Sequence, residues 1–93
     1  MDHLLADARH ELAHKTRQDV DRETAWKWAA RAVAAYQRSQ HSTDPLRDAM
    51  SWIRDAQDYY HEAIEHAALA DHSGEVLRVV REWIHRHVPR GAL

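Results

Sequence analysis

The sequence predicts an all-α fold, a compact bundle of three to four amphipathic helices, and three observations carry that expectation. Glycine and proline number only two each among 93 residues, and all four fall where a helix should start or stop. Apolar residues recur at three- and four-residue spacing rather than alternating. No stretch reads as a strand. The helices are expected at about 3–17, 22–40, 44–71 and 74–88, within a single domain spanning 1–93.

The 44–71 helix opens on Asp44-Pro45, an aspartate to cap free amides followed by a proline suited to the first helical position. Leu46, Ala49, Met50, Ile53, Ala56, Tyr60, Ile64 and Ala67 then make its stripe, widened by Trp52, Tyr59, Ala63 and Ala70. A stripe that wide must touch more than one neighbour. Ser73 offers the next cap. Val76, Leu77, Val80, Trp83, Ile84 and Val88 form the buried side of 74–88, with Trp83 as its anchor and His87 on the Val80/Ile84 side. Pro89 and Gly91 stop it.

Upstream, TAWKWAARAVAAYQRSQ is rich in strong helix formers. Trp26, Ala29, Ala30, Val33 and Tyr36 make one face; Trp28, Ala32 and Ala35 make a second. The first 20 residues place Leu5, Ala8 and Leu12 on one face. Lys15, Asp19, Arg22 and Glu23 interrupt that face, so a break or bend is expected near 18–22.

Composition removes several classes of function. There is no cysteine, hence no disulfide, thiolate catalysis or cysteine zinc site. No apolar run approaches a membrane span, and the N-terminus lacks the pattern of a signal peptide, so the expected location is cytoplasmic. A formal charge of −2 gives no global field toward nucleic acid or an anionic membrane. Charge is instead divided by helix. Residues 24–43 carry three basic and no acidic side chains, 44–75 carry two basic and eight acidic, and 76–93 carry four basic and one acidic.

Nine histidines raise the question of metal. His10-Glu11-Leu12-Ala13-His14 satisfies H-E-x-x-H, in which histidines one turn apart bind zinc and the glutamate activates water. A protease of that kind also needs a third ligand and a substrate-binding strand, and only nine residues precede the motif. His61, Glu62, Glu65 and His66 lack the Glu-x-x-His spacing of di-iron bundles and read as a solvated acidic face. Arg78 and Arg81, with Arg86 and Arg90 nearby, form a basic side on the last helix suited to phosphate or to an acidic protein surface.

The segment 58–84 resembles one helical hairpin of the tetratricopeptide type, through Tyr60, Ala63, Ala67 and Ala70. The preceding helix lacks that repeat's pattern, and no family is assigned.

No nucleophile–base order and no phosphate-cradling glycine loop is present, so catalysis and cofactors are not expected. The leading expectation is a non-enzymatic interaction or adaptor module that binds itself or another protein through Trp28, Ala32 and Ala35. The alternatives are metal binding at His10 and His14, and a nucleic-acid accessory role for Arg78, Arg81 and Arg86.

Overall fold

A computed structural model describes residues 16–41 and 48–93. They form a compact all-α bundle of three helices: α1 (Arg17–His41), α2 (Ala49–Ala70) and α3 (Glu75–His87), followed by a 3₁₀ turn at Arg90–Ala92. The helix expected at about 3–17 and the Asp44-Pro45 start lie outside the described residues.

The first helix starts earlier than the expected residue 22, and it runs through 18–22 without the expected break. The reason is a reciprocal cap. The Thr16 hydroxyl accepts the Asp19 amide at 3.2 Å, and the Asp19 carboxylate accepts the Thr16 amide at 3.2 Å. Such a box satisfies free donors in both directions and fixes the start at Arg17. The second helix begins at Ala49, later than expected. Asp48 has extended backbone and accepts the Ser51 amide at 2.8 Å, so it holds the capping position.

Three cross-helix pairs give the register of α1 against α2: Asp21 with His66, Trp28 with Tyr59, and Arg38 with Trp52. Numbers rise along one helix as they fall along the other, so the pair is an antiparallel hairpin. Its seam is built mainly of alanine. Ala25, Ala29 and Ala32 on α1 meet Ala56, Ala63, Ala67 and Ala70 on α2, all of them buried. With Tyr36 and Ser39 on α1 and Tyr60 on α2 the steps alternate four and three, the 3.5-residue period of paired helices. Side chains this small let two backbones approach closely.

The third helix seats against this hairpin. Val80, Ile84 and Val88 are the largest fully buried side chains, and they cluster with Ala25, Ala29, Val33, Ala63 and Ala67. Trp83 differs from its expected place as a core anchor. It is half-buried, edge-on to Trp26 with ring centroids 5.7 Å apart. His87 is exposed against Trp83, with centroids 5.0 Å apart, because Val88 fills the core at that end of the helix. Ala30 is exposed as well. It lies 100° round the helix from Ala29, beyond the surface that α3 covers. The chain end packs back on the bundle: Gln57 donates to the Ala92 carbonyl at 3.3 Å, and Leu93 joins the apolar cluster.

Between α2 and α3, Gly74 has φ +81°, a left-handed conformation that favours glycine. The third helix accordingly opens at Glu75, one residue after the expected Gly74. Asp71 organises this turn. It accepts the Ser73 hydroxyl at 2.7 Å and the Ser73 amide at 2.9 Å, while the Ser73 hydroxyl accepts the Glu75 amide at 3.3 Å. The hydroxyl bond first, and then the amide bond, hold the Asp71 carboxyl below the usual aspartate range. A carboxylate with a lowered pKa stabilises the fold above its unfolded value of about 3.9, and that contribution fades as pH falls through the folded value. Asp71→Asn should therefore flatten the acid limb of a thermal-stability-against-pH curve. An unchanged limb below about pH 4 would contradict this role.

Candidate functional site

Trp26 and Trp28 are two residues apart and project from opposite sides of α1. The Trp26 side, with Val33 and Tyr60, receives α3. The Trp28 side is the outer face of the α1/α2 hairpin, and no α3 residue lines the grooves along it.

The structure divides the three residues expected at an interface. Ala32 and Ala35 are 0% and 3% exposed within the chain. Ala32 is enclosed within the bundle, while Ala35, though buried, still lines the groove between Arg31, Arg38, Trp52 and Tyr59. Trp28 remains half-buried, packed in part against the core cluster. Its ring lies against Tyr59 with centroids 5.5 Å apart, and the Arg31 guanidinium sits 4.8 Å above it. One heptad further along, Arg38 repeats the arrangement 4.9 Å over Trp52. Guanidinium groups lie flat on indole faces because the ring quadrupole attracts cations, while the remaining N–H groups stay available at the edge.

Three shallow grooves follow this face. One of about 430 Å³ lies beside Trp52 and His41, and one of about 220 Å³ lies between Arg31, Arg38 and Tyr59. A third, of about 420 Å³, is lined by Trp28, Asp58, Tyr59, His61 and Glu62. Neighbouring grooves share residues, Trp52 and Arg38 between the first two and Tyr59 between the last two. The face is thus one continuous strip, with arginines along α1 and carboxylates along α2.

Toward the α1 N-terminus, His66 ties the two helices together. Its Nδ1 is 3.1 Å from Asp21 and its Nε2 is 3.8 Å from Glu62. The ring lies between the carboxylates, so the three groups do not converge on one point. Among the described residues no group of three or more histidines and carboxylates is arranged to hold a metal ion. The sequence reading of His66 as part of a solvated face missed its link to Asp21. The signal for that link was positional, since Asp21 precedes Trp28 by one heptad just as His66 follows Tyr59. His10 and His14 lie outside the described residues.

The basic residues of α3 are also divided. Arg78 and Arg81 line a groove of about 350 Å³ together with His85 and Arg90, whereas Arg86 is not part of it. None of the described helices is long and apolar enough to cross a membrane. The chain matches no protein-family model, no curated protein and no solved structure.

Proposed function

We propose that the protein is a non-enzymatic interaction module that self-associates as a symmetric dimer through the outer face of α1 and α2. One observation carries this reading: the outer face, whose grooves no α3 residue lines, carries Arg31 over Trp28 and Arg38 over Trp52, with Asp58 and Glu62 of α2 beside Trp28. A two-fold axis parallel to the hairpin lays α1 of one copy over α2 of the other. Arg31 of each copy then meets Asp58 and Glu62 of its partner, and Trp28 lies near the centre. Buried aromatic and arginine side chains at the centre of an interface supply most of its energy. Paired hairpins also complete a four-helix layer in which the aromatic strip is shielded from water.

The test is Trp28→Glu. Trp28 is half-buried and packs in part on the core cluster, so circular dichroism should first establish that the variant keeps its helices, and the folded variant should sediment as a monomer. A folded Trp28→Glu variant that still dimerises would reject this face as the interface.

A further inference from the structure

A second surface, independent of the dimer face, runs along α3. Its groove of about 350 Å³ is lined by Gly74, Leu77, Arg78, Arg81, His85 and Arg90, with Glu82 its one acidic residue. Gly74 precedes α3 and Arg90 follows it, so the groove tracks the helix for about 20 Å. Its cations are not equivalent. Arg78 is engaged by Glu82 at 3.3 Å and approached by Glu75 at 4.0 Å. Arg81 and Arg90 pair with no carboxylate among the described residues. His85 is held as a wall: its Nδ1 donates to the Val88 carbonyl at 3.4 Å, and its Nε2 shares a hydrogen bond with the Tyr60 hydroxyl at 3.3 Å. Leu77 adds an apolar patch beside these groups.

We propose that this groove docks an extended acidic segment of a partner protein. An extended chain covers about 20 Å with roughly six residues, which suits the length of the groove. Carboxylates on it can take paired N–H donors from Arg81 and Arg90, the geometry in which guanidinium groups bind most strongly. A leucine beyond the carboxylate held by Arg81, on the side away from Arg90, meets Leu77 one turn along the helix. A nucleic acid fits less well. Its longer polyanion would have to pass the acidic α2, and the chain as a whole is already negative at −2.

The experiment is fluorescence anisotropy on the full chain with a labelled six-residue peptide of four glutamates and two leucines, and with a single-stranded oligonucleotide in parallel. The peptide should bind. The double variant Arg81→Gln with Arg90→Gln should weaken it about tenfold or more. Arg86→Gln, which removes a charge from the same helix outside the groove, should change it little. Both variants alter exposed side chains, so circular dichroism should confirm an intact fold. Equal weakening by Arg86→Gln would show diffuse attraction and overturn the site. Absence of peptide binding, or tighter binding of the oligonucleotide through the same arginines, would overturn it too.

Discussion

Ile84→Ala should lower stability by about 2–5 kcal/mol, the cost of deleting buried methylene groups and leaving a cavity. Ile84 has no exposed surface and stands among the three largest fully buried side chains. Few other large residues share its load, because most of the buried apolar positions are alanine. A domain of this length has about 5–14 kcal/mol in total. The thermal midpoint should therefore fall by roughly 10–30 °C. Trp83→Ala removes a bigger side chain, but one that is only half-buried, so the naive ranking by size should invert. A shift of a degree or two for Ile84→Ala would contradict the placement of α3.

The alanine seam gives the second large effect, of the opposite kind. Ala29 is fully buried where α1 meets its neighbours. Ala29→Leu forces extra volume into a close contact, which costs about 1–3 kcal/mol through off-rotamer side chains and displaced backbone. The adjacent Ala30 is exposed, and Ala30→Leu should leave the denaturation midpoint almost unchanged. Equal effects at the two positions, read from urea titrations, would mean that the helices are not packed through alanine.

Helix identity was legible in the sequence because apolar spacing and scarce glycine and proline act locally. Helix ends were less so. The sequence pointed to Asp44-Pro45 through its proline, whereas the capping bond to the Ser51 amide is made by Asp48, which no such neighbour marks. Thr16 and Asp19 made a capping box with aspartate in the usual glutamate position, so the polar run after it looked like a break. The outer strip was half legible. Trp28 stood out as a residue of a second face, but the burial of Ala32 and Ala35 depends on the α1/α2 register, which no local pattern prints. The basic groove was visible only as a row of arginines; the return of Arg90 past the helix end is a tertiary fact.

If the outer α1/α2 face pairs with a second copy of itself, the mass of the protein in solution must depend on its concentration. Sedimentation equilibrium of the full wild-type chain, from low to high micromolar concentration, tests it most directly. Pairing through this face should give a reversible approach to twice the 10.9 kDa chain mass, with Trp28 becoming shielded from a soluble quencher as the mass rises. A mass fixed at 10.9 kDa throughout, with Trp28 equally accessible at every concentration, would contradict it.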